Sequence, residues 1–250
     1  MTLSRIVEAK KAEIKRMKAP RRSLKEAISS ARGLAVIAEI KKASPSRGVI
    51  ERTLTPEARF QKYVEGGAVA VSVVTEGNFF GGSNETLRQL SAISPVPLLR
   101  KDFIIDPLQL YESLFLGADA VLLIASLLEG KKLSMMVEKA LELGLEVLLE
   151  VHTPDELKRA MDTPARIIGI NNRNLKDFSI DLRVTQRMMD LARKLENPLK
   201  RKMVSESGIS SLEDALFLAS CGVDALLVGT YLVEAQDPQD RIREIVERTR

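Results

Sequence analysis

The chain has 250 residues, of which 45% are hydrophobic and 29% are charged. This is too long for a minimal domain, and it suits one α/β barrel, a fold that needs about 250 residues as a single unit. The net charge of +4 is spread along the chain, which argues against a nucleic-acid-binding arm, and no apolar run approaches the ~18 residues of a membrane span.

Two helix-like segments come first, Leu3–Lys18 and Ser23–Ser30. We interpret residues 1–33 as an N-terminal helical extension that packs across one end of a barrel formed by 34–250, in a single domain. The first residues contain no apolar signal core, so we expect a cytoplasmic protein without membrane contact.

Eight short aliphatic runs then alternate with longer amphipathic stretches. Most runs are apolar throughout, which is typical of strands covered on both faces in a parallel sheet. The predicted strands are Leu34–Ile40, Val69–Val74, Leu98–Arg100, Ala120–Ile124, Glu146–Glu150, Ile167–Ile170, Lys202–Ser205 and Ala225–Val228.

Helices are predicted after each strand, several beginning with proline at the first helical position, as in Asp106-Pro107. They are Pro56–Glu65, Asn84–Ser91, Pro107–Leu116, Glu129–Leu143, Pro154–Met161, Leu182–Leu195, Ser211–Ala219 and Pro238–Arg248. Four end in glycine followed at once by the next strand, and this turn is the internal repeat of the chain. Eight such units in the α/β class favour a closed (β/α)8 TIM barrel over an open doubly wound sheet, since no G-x-G-x-x-G follows the first strand.

Cys221 and His152 are the single cysteine and the single histidine. One cysteine cannot form an internal disulfide, and nothing in the sequence indicates a metal site. Thr153 is predicted to cap a helix, so His152 is assigned a loop or capping role. Acid–base chemistry then depends mainly on lysine, glutamate and aspartate.

The active site of a barrel lies where its strands end, so polar residues at those points are candidates. Glu39 and Lys41 are two residues apart and should point together into the mouth. Lys101 follows the third apolar run directly, and Glu150 ends the fifth. With Glu206 after the seventh run, these groups would titrate as a coupled proton-transfer set that needs no metal or organic cofactor.

Small residues follow the last two strands, in Ser207-Gly208 and Gly229-Thr230. Barrels commonly bind phosphate there through loop amides and the N-terminus of a short helix. Glycine lets the backbone approach an anion closely. The sequence therefore predicts a phosphorylated small-molecule substrate.

Taken together, these motifs resemble those of indole-3-glycerol phosphate synthases, from about residue 3 to the end of the chain. The segments that carry the resemblance are Glu39-Ile40-Lys41 with Ser44-Pro45-Ser46, Lys101-Asp102-Phe103, Glu150-Val151, Asn171-Asn172-Arg173-Asn174-Leu175 and Ser205-Glu206-Ser207-Gly208-Ile209. The resemblance implies a cofactor-free TIM-barrel lyase of tryptophan biosynthesis, which closes an indole ring with loss of carbon dioxide and water.

The resemblance also implies roles for residues. Lys101 would be the general acid that protonates the substrate carbonyl, Glu150 its base or acid partner, and Lys41 with Glu39 a second acid–base pair used in dehydration; how the steps divide between the two lysines stays open. Asn171 and Glu206 would hold the reacting hydroxyl and amine, and Arg173 would fix loop geometry or the carboxylate. The residues expected to bind the substrate or its phosphate are Ser44, Ser207, Gly208, Gly229 and Thr230. Those expected to line the apolar pocket for the aromatic ring are Pro45, Phe103, Leu122, Leu175 and Val228.

Two alternatives remain at this point. Another phosphosugar barrel enzyme, such as a lysine Schiff-base aldolase or a sugar-phosphate isomerase, would share the phosphate turns and could use Lys101 as a nucleophile. A non-catalytic barrel that binds a phosphorylated ligand would need neither Lys101 nor Glu150. We expect a monomer or, as the alternative, a weak homodimer.

Overall fold

The barrel consists of eight parallel strands that hydrogen-bond in chain order until the last pairs with the first. The computed structural model describes residues 3–17, 21–41, 43–44, 48–49, 54–196 and 200–249. The strands are β1 (Ala35–Ile40), β2 (Ala70–Val74), β3 (Leu98–Lys101), β4 (Ala120–Ile124), β5 (Glu146–Val151), β6 (Ile167–Asn171), β7 (Lys202–Glu206) and β8 (Ala225–Val228). The predicted TIM barrel is confirmed.

Helices follow the strands around the barrel. The ends of the ten predicted helices agree with the prediction to within two residues, and the short helix Thr230–Val233 was not predicted. The helices are α1 (Leu3–Met17), α2 (Leu24–Ser29), α3 (Pro56–Glu65), α4 (Asn84–Ser91), α5 (Pro107–Leu116), α6 (Lys131–Glu142), α7 (Pro154–Met161), α8 (Arg183–Leu195), α9 (Leu212–Ser220), α10 (Thr230–Val233) and α11 (Pro238–Arg248). Glycines with positive φ end four of them, such as Gly117 at 85°, as the repeated turn predicts.

Helix α2 closes the end of the barrel at which the strands begin. Leu24 and Ile28 pack into the same buried cluster as Ala35, Ala120 and Ala225, which are among the first residues of their strands. The Ser23 hydroxyl, which caps α2, also donates to Glu146 Oε1 at 2.8 Å. The functional site of a barrel lies at the opposite end, where the strands finish.

The strand residues divide into an outer and an inner set because side chains alternate along each strand. The outer set packs against the helices in one large apolar cluster. Toward the finishing end, the inner set becomes charged, with Glu39, Lys101, Glu150 and Glu206 on β1, β3, β5 and β7. Alternate strands of a barrel contribute the four side chains of one layer, so these four residues form a single charged layer across the mouth.

The pairing register supports this layer. Glu39 pairs with Ser72 and Ser72 with Leu99, so Lys101 lies two residues further along after two strands. Each further step of two strands again shifts the charged position by two residues. The steps lead from Lys101 on β3 to Glu150 on β5, then to Glu206 on β7, and after eight strands back to Glu39 on β1. Tilted strands with a shear of eight produce this stagger.

Candidate active site

Two lysine–glutamate ion pairs occupy the mouth of the barrel. Lys41 Nζ lies 2.8 Å from Glu39 Oε1, which confirms that these two side chains point the same way. Lys101 Nζ lies 3.8 Å from Glu150 Oε2, and the Glu150 side chain is 3% exposed. Charged groups in so little water interact strongly, and this makes their protonation states interdependent.

The lysine and the carboxylates hold one another in their charged forms. Burial alone would lower the pKa of Lys101, but the carboxylates of Glu150, Glu39 and Glu206 raise it above its ordinary value. Burial alone would raise the pKa of Glu150, yet Lys101, followed by His152 and Asn171, lowers it to about 2. Lys101 is therefore an ammonium group, and Glu150 a carboxylate, at neutral pH.

Glu206 behaves in the opposite way. Burial, and then the neighbouring charge of Glu150, raise the pKa of Glu206 to about 8. Neither of its carboxyl oxygens has a hydrogen-bond partner among the residues that the structure describes. Its carboxyl group lies against Gly169, where an added Cβ would collide with Oε1. Glu206 is thus a protonated, unpartnered acid at neutral pH.

The structure changes the interpretation of His152. Its Nε2 lies 3.1 Å from Glu150 Oε1, and its Nδ1 lies 3.2 Å from Glu156 Oε2. Thr153 does cap α7, accepting from the backbone of Glu156 at 3.2 Å. The predicted loop position of His152 is confirmed, and its contact with Glu150 is an interaction in addition to capping. The signal was present in the sequence, because His152 follows Glu150 by two residues and so shares its face.

The turns after β7 and β8 are the segments in which a phosphate site is predicted. Ser207 and Gly208 have φ values of 65° and 86°. The Asn172 amide holds the first turn from beneath, donating to Ser207 O at 3.1 Å and Glu206 O at 3.0 Å. The second turn leads directly into α10 at Thr230.

Gly229 is also packed tightly against the charged residues. A Cβ on Gly229 would lie 2.7 Å from Lys41 Nζ and would collide with Glu39 Oε1. A side chain here would therefore displace the charged ends of the Glu39–Lys41 pair.

The loop after β6 is organised by Asn171 and Arg173. The Asn171 side chain donates to Glu150 Oε1 at 3.1 Å and accepts from the Arg173 backbone at 2.9 Å. The Arg173 guanidinium donates to Phe178 O at 3.2 Å, so it fixes the geometry of this loop. Leu175, on the same loop, is 45% exposed.

The predicted apolar wall requires corrections. Phe103 is half-exposed, with its ring 6.0 Å from that of Phe80. Val228 faces outward, in the cluster between strands and helices, so its placement in the pocket is wrong; Leu227 is the inward residue of β8. Leu122 does face inward but lies beneath the charged layer, and Ile124 is the inward residue of β4 nearer the mouth.

Two further candidates lie on the loop after β1. The backbone of Ser44 belongs to a short antiparallel hairpin between 43–44 and 48–49, which the sequence did not predict. Pro45 lies outside the described residues.

Among the described residues, no group of three or more histidine, cysteine, aspartate or glutamate side chains could hold a metal ion. Within the same part of the chain, no helix is both long and apolar enough to cross a bilayer.

Comparison with known proteins gives a consistent result. Residues 2–245 match the family model described as Indole-3-glycerol phosphate synthase. The indole-3-glycerol phosphate synthase of Petrotoga mobilis is 42% identical over 250 residues, covering 100% of this chain and 98% of that protein. That of Carboxydothermus hydrogenoformans is 47% identical over 222 residues, covering 86% and 81%. The structure of 3-hexulose-6-phosphate synthase from Salmonella typhimurium, at 15% identity, shares the fold with a TM-score of 0.67 over 86% of this chain and 97% of that one.

Proposed function

Because the chain belongs to the indole-3-glycerol phosphate synthase family, we propose that its charged layer carries out the steps of indole ring closure. The enzyme is a decarboxylating lyase of tryptophan biosynthesis. It converts 1-(2-carboxyphenylamino)-1-deoxyribulose 5-phosphate to indole-3-glycerol phosphate, carbon dioxide and water. What remains to be assigned is the work of each side chain.

Lys101 is the general acid of ring closure. A carbon of the aromatic ring attacks the substrate ketone, the carbonyl π bond breaks, and its oxygen takes a proton from the Lys101 ammonium group. The buried carboxylates of Glu150 and Glu39 maintain that ammonium, so a proton is available at the mouth at neutral pH. Carbon dioxide then leaves the same ring carbon, and the iminium formed on closure accepts the electron pair.

Glu150 is the partner of Lys101, with its Oε2 3.8 Å from Lys101 Nζ, and after it has taken a proton from the substrate it returns that proton to Lys101. As a carboxylate, it is also a suitable base for the ring proton lost during dehydration. Lys41 and Glu39 form the second acid–base pair, and they assist departure of the hydroxyl that was the ketone oxygen. Asn171 and protonated Glu206 hold the reacting hydroxyl and amine.

The substrate phosphate binds between the turns after β7 and β8. The backbone amides of Ser207, Gly208 and Thr230 supply the donors, and the first turn of α10 adds a partial positive charge. Phe103, Leu175 and Ile124 provide apolar surface for the aromatic ring, and Arg173 keeps the β6 loop in position. As the family resemblance implies, Ser44 is assigned to the substrate or its phosphate, and Pro45 to the aromatic ring.

A Schiff-base mechanism is disfavoured by the same electrostatics. Such a lysine must be neutral to attack a carbonyl, and enzymes lower its pKa to achieve this. The carboxylates around Lys101 raise its pKa instead. Borohydride reduction in the presence of substrate should leave the chain unmodified.

We further propose that the protein acts in the cytoplasm as a monomer, with a weak homodimer as the alternative, and that it needs no cofactor, metal or nucleic acid. Residues 34–250 form the barrel domain in this proposal, and 1–33 its N-terminal extension.

The experiment that tests the proposed chemistry compares Lys101→Ala with Lys132→Ala, since Lys132 is an exposed lysine of α6. Product formation is followed by indole fluorescence. Lys101→Ala should lower kcat at least tenfold, with substrate affinity within about tenfold, since the lost interaction belongs to the transition state. Lys132→Ala should match the wild type. A Lys101→Ala enzyme with more than a tenth of normal kcat would remove Lys101 from the acid role.

A further inference from the structure

His152 occupies a position that the proposed mechanism leaves unused. It is the single histidine of the chain, it lies one residue beyond β5, and its side chain is 9% exposed. Its imidazole ring lies between two carboxylates. Nδ1 is within hydrogen-bond distance of Glu156 Oε2, at 3.2 Å. Nε2 lies 3.1 Å from Glu150 Oε1 as an ion-pair contact, without a hydrogen-bond partner among the described residues.

The chemistry of the two contacts requires a charged ring. Ionised carboxylates only accept hydrogen bonds, and a neutral imidazole carries a proton on one nitrogen alone. Both contacts are favourable at once only when His152 is an imidazolium. Burial would lower the pKa of His152, but Glu150 and Glu156 raise it to about 9.

Glu156 anchors the ring at Nδ1, the nitrogen that does not face Glu150. Its carboxylate accepts from the His152 backbone at 2.8 Å, and its own backbone donates to the Thr153 hydroxyl, which caps α7. The orientation of the imidazole is therefore set by the first turn of α7.

The two oxygens of Glu150 have different surroundings as a result. Oε1 accepts from the Asn171 amide at 3.1 Å and pairs with His152. Oε2 has no hydrogen-bond partner among the described residues, and it lies 3.8 Å from Lys101 Nζ. One oxygen is held by Asn171 and His152, and the other is buried next to the Lys101 ammonium group.

We propose that His152 is a positioning residue that, as an imidazolium anchored by Glu156, holds Oε1 of Glu150 and keeps Oε2 directed at Lys101 and the substrate. The inference rests on the proposed role of Glu150. The charged and titratable groups that face the ring or its partner are Glu150 from β5, Glu156 from α7, Lys101 from β3 and Glu206 from β7.

Two substitutions of similar size separate positioning from capping. The amide nitrogen of His152→Gln can reach the place of Nε2 and donate to Glu150, whereas that of His152→Asn can reach only the place of Nδ1 and donate to Glu156. Misplacement of a catalytic group by about 1 Å can cost roughly 10²-fold in rate, so His152→Asn should lower kcat on that order with little change in KM. His152→Gln should retain at least ten times more kcat than His152→Asn.

A role confined to capping α7 predicts the reverse order, because asparagine preserves the contact with Glu156. Equal kcat for the two variants, or a higher kcat for His152→Asn, overturns the proposal. Thermal unfolding of both variants shows that each has folded, so that the comparison concerns catalysis.

The wild-type enzyme provides a test that needs no substitution at His152. With 15N-labelled histidine, the NMR spectrum contains one imidazole, and at pH 7 both of its nitrogens should be protonated. Glu156→Gln and Glu150→Gln should each lower the pH at which this signal titrates. A neutral imidazole at pH 7 in the wild type overturns the proposal.

Failure of the inference can be distinguished from failure of the proposed function. If Glu150→Gln turns over normally, Glu150 has no catalytic role and the inference falls with it. If Glu150→Gln is impaired while His152→Asn turns over normally, the inference alone is refuted.

Discussion

The buried acid Glu206 should lower the stability of the enzyme in a pH-dependent way. Its pKa is raised from 4.5 to about 8 in the folded protein, so between these values the folded chain holds a proton that the unfolded chain has lost. Stability therefore falls as pH rises from 4.5 toward 8 and changes little above 8. Glu206→Gln keeps the shape of the protonated acid but cannot ionise, so it should remove this dependence.

The size of the effect follows from the two pKa values. A tenfold change in proton affinity corresponds to about 1.4 kcal/mol. Relative to glutamine, Glu206 should lower the free energy of unfolding by about 1 kcal/mol at pH 5.5 and by up to about 5 kcal/mol at pH 9. For a chain of this length, about 2–4 °C in Tm accompanies each kcal/mol, so the advantage of Glu206→Gln should grow by roughly 5–15 °C over that range.

The assay is thermal unfolding of wild type and Glu206→Gln across this pH range, followed by circular dichroism at one scan rate. Glu138→Gln, which changes an exposed residue of α6, is the matched control and should show a pH-independent difference from wild type. Parallel curves for wild type and Glu206→Gln would mean that Glu206 is ionised in the folded enzyme, and its assignment as a protonated acid would be refuted.

Three further predictions concern turnover. Glu150→Gln should lower kcat by ~10²–10⁴-fold and flatten the acidic limb of the kcat–pH profile; near-normal kcat with an unchanged profile would make Glu150 a structural residue. Gly229→Val should raise KM and also lower kcat, because its side chain collides with the Glu39–Lys41 pair; an increase in KM alone would mean that this pair tolerates displacement. Gly169→Ala should lower kcat by displacing Glu206, and unchanged kinetics would show that the position of Glu206 is not critical.

The barrel was predictable because its elements are separated by strong local signals. Each strand is a short apolar run, and proline or glycine marks the helix ends, so the boundaries were correct to within two residues. Glu39 and Lys41 were correctly predicted to lie together because the period of two within a strand needs no knowledge of the partner strands.

What the sequence could not give was the direction of each apolar side chain and the contacts between strands. A strand covered on both faces has apolar side chains on both of them, so its sequence does not show which side chains point into the barrel. Val228 was therefore predicted to point inward, although it packs against the helices. Gly169 makes room for Glu206 on the neighbouring strand, which depends on register. The contact between His152 and Glu150 also agrees with a period of two, because His152 directly follows the last residue of β5.

The most direct test of the charged layer as the reaction centre is a crystal structure of the wild-type enzyme with indole-3-glycerol phosphate bound. The phosphate should lie between the turns after β7 and β8, on the amides of Gly208 and Thr230, with the indole ring over Lys101 and Glu150. A phosphate bound elsewhere in the mouth, or an indole ring out of contact with both Lys101 and Glu150, would contradict the account.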